Sequence, residues 1–340
     1  MKVQFISIFV KAIFCVFCLL LTMLGERTVI NAQERGWANE LMPKGITRGQ
    51  NKGEYIVTKT GDILIYIPAG QSKTIDFTVS GNPPAPREDI QDINLPAFYI
   101  GKYETTVGSF RKFVAESKFK TEAERLGKAT ILEFPKGPIE KAGANWSAPG
   151  FTQTDSHPVV LIVWDDAKAY CDWAGGHLPS RSEWIKAALW DETAKKLRTL
   201  PWGEPPVISP VFGPGTPPPP PFADAKKGNF LDLSYAKVSG MQLFGESVDD
   251  GYALTSPVGN YPEGKSYYGA YDMAGNISEW TSDQVTSGMK AMFSGMPDGY
   301  LAMGDSWSMR PGFPLKWHLV PQPIPGGRLD YGFRLVISAK

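Results

Sequence analysis

Few residues of this chain have types and spacings that can do chemistry. The histidines His157, His177 and His318 are isolated and show no metal-ligand spacing, so two of them, His157 and His177, are expected to be structural. Cys171 sits in a run whose Ala167, Tyr170 and Ala174 share one helical face, which predicts a buried, inert thiol. Ser180 and Glu183 have the S-x-x-E spacing of a capping box, so Glu183 is read as a helix cap and not as a catalytic acid. Met289, Met292, Met296, Met303 and Met309 crowd one stretch. Thioethers can ligate copper(I), but methionine also fills irregular core gaps, and the second role is expected here.

The elements that must position these residues are short. Ile63–Pro68 and Phe98–Tyr103 read as strands, and His157–Trp164 as a buried strand. Thr105 or Thr106 can cap a helix that presents Val107, Phe110, Phe113 and Val114 on one side. Asp165 is expected to cap the next helix and Gly175-Gly176 to end it. Pro83–Pro86 reads as a loop. A segment from 204 to 222 holds a run of five prolines from Pro217 and reads as an extended surface insertion. Glycine (35), proline (29) and ten tryptophans describe a loop-rich fold with packed rings. With 35 basic and 35 acidic residues the chain lacks the electrostatic footprint of a nucleic-acid binder.

The N-terminus has the form of a secretory signal peptide over residues 1–32: Lys2 and Lys11, an apolar run from Ala12 to Leu24, then Ile30-Asn31-Ala32. The alternative is an uncleaved anchor over Phe5–Leu24. Cleavage removes three basic residues and one acid, leaving 32 against 34 and a charge of −2. It also leaves Cys171 as the single thiol, so an exported form has no internal disulfide. Residues 33–60 are polar and Gly-rich and read as a flexible lead-in. No later apolar run is long enough to span a membrane.

Several blocks carry a family resemblance. They are Lys102-Tyr103-Glu104-Thr105-Thr106, Thr121-Glu122-Ala123-Glu124, Ala144-Asn145-Trp146, His157-Pro158-Val159-Val160 and Trp164-Asp165-Asp166-Ala167. Leu178-Pro179-Ser180, Trp202-Gly203 and Gly228-Asn229-Phe230 follow in order. The longest runs from Gly269 to Trp280, and Gly304-Asp305-Ser306-Trp307 and Gly332-Phe333-Arg334 close the series. Over residues 61–338 the chain resembles the formylglycine-generating enzyme, or sulfatase-modifying factor, family. The resemblance implies one α+β domain with a variant of the C-type-lectin-like fold. It implies two structural calcium sites. The first would use Asn229, the Phe230 carbonyl, Asp250 and the Tyr252 carbonyl; the second, Asp272, the Gly275 and Ile277 carbonyls, and Glu279.

The resemblance also shows a departure. Oxidase members of the family hold copper(I) with two cysteines on the segment after Gly-Gly-Ser. Here Met309 stands in place of the first and Pro314 roughly in place of the second, and no cysteine follows Cys171. Asp305 replaces a glycine, and Met303 stands where arginine is common. Copper is therefore not expected. The iron-binding members of the family use a separate helical domain that is not read here. The expected function is binding of a peptide, a protein client or a small ligand in the former substrate groove, through Asp305, Ser306, Trp307, Met309, Arg310 and His318. This would serve a periplasmic redox or sulfatase system as an accessory factor. Two alternatives remain: an oxidoreductase or protein-modifying enzyme with a relocated, metal-dependent centre, and an envelope component that docks through its Pro-rich loop.

Overall fold

Alternation of side chains along the first strands sets the architecture. A computed structural model describes residues 42–80, 85–204, 226–243, 248–292, 298–309 and 325–339. The chain begins with β1 (Ile46–Arg48), β2 (Glu54–Val57) and β3 (Ile63–Ile67), continues through a long hairpin, β4 (Gly70–Ser80) and β5 (Ala85–Leu95), and reaches β6 (Phe98–Gly101). The C-terminal β14 (Val336–Ser338) returns to β6 and completes a five-stranded antiparallel sheet in the order β1-β2-β3-β6-β14. Leu64 and Tyr99 pack into one core cluster, while Ile65, Ile67, Phe98 and Ile100 pack into another. Both faces of the central strands are thus buried, as a period of two requires.

Residues 46–57 fall within the segment expected to be a flexible lead-in, yet they form two paired strands of this sheet. β1 pairs with β2 inside the segment, but β2 is anchored by β3 beyond it, so local composition does not announce them. The strands expected over Ile63–Pro68 and Phe98–Tyr103 are present, ending at Ile67 and Gly101. Ala85 and Pro86, read as loop, begin β5.

The helices follow their capping signals. Thr106 caps α1 (Val107–Ser117), accepting from the Ser109 amide at 3.1 Å. Thr121 and Glu124 form a capping box for α2 (Glu122–Leu126). A small hairpin, β7 (Lys128–Glu133) with β8 (Gly137–Ala142), comes next. Helix α3 (Trp164–Ala174) starts two residues earlier than expected: Val163 is the cap, and Asp166, not Asp165, accepts the Val163 amide at 3.0 Å. Gly175 ends it in the left-handed region. Ser180 and Glu183 form the expected box at the start of α4 (Arg181–Leu189).

The apolar run expected as a strand before α3 is an irregular buried segment. Val159, Val160, Leu161 and Ile162 are all fully buried, and Leu161 has φ 54°. Its backbone bonds go to separated partners: Val159 N–H donates to Thr105 O, and Leu161 N–H to Arg328 O. An apolar run signals burial, and periodicity alone does not separate a strand from other buried backbone.

The remaining elements are a short pair β9 (Trp190–Asp191) and β10 (Lys196–Leu197), helix α5 (Leu233–Ser239), and a three-stranded sheet. That sheet has β11 (Ser278–Gln284) at its centre, with α6 (Ser287–Met292) leading into β12 (Tyr300–Met303), and β13 (Tyr331–Gly332) parallel on its other side. The fold is a single α+β domain with many loops. Most of the Pro-rich insertion lies outside the described residues. Among the described residues no helix is long and apolar enough to cross a membrane.

Candidate functional site

Three segments distant in sequence, together with the hairpin β7–β8, enclose a cleft of about 370 Å³. The first is the turn after β12. Trp307 lies there, its amide donating to Asn276 O at 3.0 Å and its indole N–H to Leu329 O at 3.2 Å. These bonds fix the ring as a wall of the cleft. The second is α5, which sets Tyr235 against Trp307 at 5.9 Å between ring centroids. The third is the run 327–330. Gly327 has φ 80°, and a Cβ there would come within 2.6 Å of the Ile162 amide nitrogen, so only glycine lets this run lie against the buried segment.

Arg328 and Asp330 line the same cleft. The guanidinium grips Asp330 through Nε to Oδ1 and Nη2 to Oδ2, each at 2.7 Å, and lies over the Tyr331 ring at 4.8 Å. Hydrogen bonding to Asp330 holds the arginine above its ordinary range. Ser308 Oγ donates to the same carboxylate at 2.7 Å. The Asp330 side chain is almost fully buried, while that of Arg328 is 36% exposed, so the cleft shows a positive group to solvent.

Of the residues expected in the groove, Trp307 lines this cleft but is itself only 2% exposed, so the half-buried Tyr235 presents most of the aromatic wall. Asp305 and Ser306 are 1% and 0% exposed and lie behind it; Ser306 Oγ contacts Ser308 Oγ at 2.9 Å. They can shape the turn but offer no surface to a ligand. Met309 is half-buried, and its carbonyl accepts from the Leu231 amide at 2.9 Å. Arg310, Pro314 and His318 lie outside the described residues. The sequence reading missed Tyr235, Arg328 and Asp330. The available signal was the run Gly326-Gly327-Arg328-Leu329-Asp330 just before the Gly332-Phe333-Arg334 block.

A buried acid cluster is linked to the Trp307 turn through Asn276, which accepts from the Trp307 amide and donates to Glu104. Glu104, Asp272 and Glu279 are 2%, 5% and 1% exposed, and Arg334 is fully buried. Arg334 Nε donates to Glu279 Oε2 at 2.6 Å, and the Trp184 indole donates to the same oxygen at 2.8 Å. Glu104 accepts from Asn276 Nδ2 at 2.6 Å and from the Ile277 amide at 3.2 Å. Burial, then the charges of Asp272 and Glu279, pushes Glu104 well above the usual carboxylate range. Burial pushes Asp272 up to about 6. Burial alone would lower Arg334, but Glu279 beside it holds the guanidinium charged. Three carboxylates against one guanidinium leave two negative charges in excess when all are ionised. Two protons or one divalent cation would balance them. Asp272 and Asn276 adopt φ of 55° and 61°, with Gly275 at 87°. This left-handed turn carries Asp272 and the Gly275 and Ile277 carbonyls expected of the second calcium site.

In the first expected calcium set Asp250 meets the backbone of Phe230 and Tyr252 through their amides, at 2.7 Å and 2.9 Å, not through the expected carbonyls. Asn229 is fully buried and donates to Leu254 O at 2.6 Å, but its Oδ1 is buried with no hydrogen-bond partner among the described residues. An orphaned amide oxygen is a cost that a cation would remove. Burial pushes Asp250 up to about 7. Asp232, absent from the sequence reading, is fully buried beside it and accepts the Asp250 amide at 2.5 Å. Among the described residues no three acidic, histidine or cysteine side chains converge as a ready-made metal site. Carbonyls and Asn229 would therefore have to supply most of either shell.

The two described histidines and the thiol have structural places. His157 Nδ1 accepts the Thr154 amide at 3.0 Å, and burial lowers its pKa. His177 Nδ1 meets Leu178 O at 2.9 Å. Cys171 is fully buried on the inner face of α3, and burial, followed by the nearby Asp62 charge, raises its thiol well above the usual value.

Residues 52–339 match the model of the sulfatase-modifying factor enzyme 1-like domain. The chain belongs to the formylglycine-generating enzyme family. It is similar to the mouse formylglycine-generating enzyme, with 29% identity over 282 residues, covering 75% of this chain and 66% of that protein. It is 28% identical over 247 residues to the bovine inactive Cα-formylglycine-generating enzyme 2, covering 65% and 70%. Hercynine oxygenase of Mycolicibacterium smegmatis is 26% identical over 247 residues, covering 65% of this chain and 48% of the relative. The matches thus span 66% of the mouse enzyme and 58% of its bovine counterpart. Among solved structures, PvdO from Pseudomonas aeruginosa shares the fold at a TM-score of 0.54 and 19% identity, covering 88% of this chain and 99% of that one.

Proposed function

We propose that this member of the formylglycine-generating enzyme family is an exported, calcium-stabilised binding protein that takes a peptide segment of a client in the cleft beside Trp307 without oxidising it. The observation that carries this reading is the cleft itself. An aromatic wall, Trp307 on Tyr235, stands beside a solvent-facing guanidinium on a floor otherwise largely apolar. The segment that follows Trp307 offers a thioether, Met309, where the family's oxidases place a thiolate. A thioether cannot deprotonate or exchange with a substrate disulfide. Cys171 is enclosed in the core and faces away from solvent. A bovine relative whose name describes it as inactive supports the idea that the scaffold persists without the conversion.

Calcium would be held at the first site by Asn229 Oδ1, the Phe230 carbonyl, Asp250 and the Tyr252 carbonyl. At the second it would be held by Asp272, the Gly275 and Ile277 carbonyls, and Glu279. The ion would supply charge balance and rigidity to the buried loops that Asn276 ties to the Trp307 turn. An accessory role in a periplasmic redox or sulfatase system follows from export and client binding together. The alternative of a relocated catalytic centre has no observation in its favour among the described residues. Display of random peptides against the purified chain tests the binding reading. Enrichment that is lost in both Trp307→Ala and Tyr235→Ala is expected. Enrichment unchanged in both variants, or none with the folded wild type, overturns it.

A further inference from the structure

The edge of β7 forms one side of the cleft. Thr130, Ile131 and Leu132 are consecutive, and all three line it. Successive residues of a strand point to opposite faces, and Ile131 is buried in the core while Thr130 is exposed. A cleft that touches three in a row follows the strand's edge and not one face. Pro138, opposite Leu132 in β8, bounds one end. Among the described residues β7 pairs with β8 alone, and no backbone bond joins Ala129–Glu133 to any other segment. The far wall is the run 327–330, with Arg328 in it. Arg328 spends Nε and Nη2 on Asp330, while Nη1 makes no hydrogen bond to a described residue.

We infer that the cleft binds an acidic, extended peptide segment as an added strand on the edge of β7, with an Asp or Glu side chain of that segment meeting Arg328. This rests on the peptide-binding reading above and specifies what the cleft selects. Backbone hydrogen bonds to β7 supply affinity without sequence preference, and alternate side chains supply specificity. Three strand residues extend roughly 10 Å, so an added strand places two side chains of the same face inside the cleft. One meets the Trp307–Tyr235 wall and the other meets Arg328. The selected pattern is therefore an apolar or aromatic residue and an acidic residue two positions apart. The exposed guanidinium favours the acid, because the Asp330 carboxylate beneath it is buried and already satisfied by Arg328 and Ser308.

The experiment is heptapeptide display against the full chain, followed by fluorescence anisotropy with the best-enriched peptide. Its acid is replaced by the amide, its alternate backbone nitrogens are methylated, and its C-terminus is amidated, each in turn. The acid-to-amide change should weaken binding about tenfold or more, since hydrogen bonds to charged groups are the strong ones. The same loss should appear with Arg328→Gln, and the two losses should not add. Methylation of one alternating set of amides should abolish binding, and C-terminal amidation should change nothing. Enriched peptides with no acid preference, or tolerance of either methylated set, overturn this inference and leave the groove reading standing. Loss on C-terminal amidation overturns the assignment to an internal side chain. Failure to enrich any peptide overturns both readings.

Discussion

Replacing Arg334 by methionine should cost about 4 kcal/mol of stability. Arg334 is fully buried and donates to Glu279 Oε2 at 2.6 Å, Gly101 O at 2.8 Å and Tyr271 O at 2.9 Å. Methionine fills much of the volume but removes the positive charge from a cluster with three carboxylates. Breaking a buried ion pair from one side typically costs about 3–5 kcal/mol, because the partner charge is left unpaired. Two carbonyls also lose donors, but such losses within one network do not simply add. Against a typical total stability of about 5–15 kcal/mol this brings the fold near its limit. Urea titration by tryptophan fluorescence should show a midpoint lowered by roughly 1.3–2 M, with a slope of about 2–3 kcal/mol per M. Adding Glu279→Gln to the same variant removes the stranded charge and should recover part of the loss. A single-variant cost under about 1 kcal/mol, or a double variant worse than the sum of the singles, would refute the view that Arg334 balances the cluster.

Calcium added to chelated protein should raise Tm by several degrees, as a ligand at a hundredfold excess over Kd contributes about 2.7 kcal/mol; Asn229→Ala should reduce the rise, and no rise at all would count against both sites. In chelator, stability should fall as pH rises from about 4 through about 7. The native pKa values of Asp250, about 7, and Asp272, about 6, lie above their usual value, so ionisation is costlier in the folded state; calcium should flatten or reverse that slope, and a urea midpoint series with and without the ion measures it. Cys171 should resist a maleimide probe in native buffer and label fully in guanidinium, because its thiol is buried and its pKa raised; rapid native labelling would contradict that placement. Mass spectrometry of the protein recovered from an expressing cell should find Gln33 as its first residue if the leader is cleaved as proposed, whereas an intact Met1 would favour the uncleaved anchor.

Signals confined to a few residues were legible in the sequence. The Ser180–Glu183 box, the Thr106 cap, the inner face of α3 with Cys171 and the strands at Ile63–Ile67 and Phe98–Gly101 all depend on near neighbours. Elements defined by distant partners were not. Strands β1 and β2 exist because they extend a sheet that β3, β6 and β14 anchor. The apolar run Val159–Ile162 gave the right burial and the wrong conformation. The same division runs through the site. Trp307 was found because it belongs to a family block. Asp305 and Ser306 belong to that block too, but the turn directs them inward, and only the packing of the turn decides direction. Tyr235, Arg328 and the β7 edge meet Trp307 through three separate chain crossings, and nothing local in their sequence marks that meeting.

The most direct measurement is incubation of the purified chain with a cysteine-containing sulfatase-type peptide, with and without copper(I), read by mass spectrometry for the aldehyde product. Conversion needs a soft-metal site and a thiolate able to exchange with the substrate cysteine, and the sequence places Met309 and Pro314 where such ligands would stand. The peptide should be recovered with its cysteine intact in both arms. Aldehyde above the metal-free control, abolished by Met309→Ala or Cys171→Ser, would show that this chain oxidises its client after all.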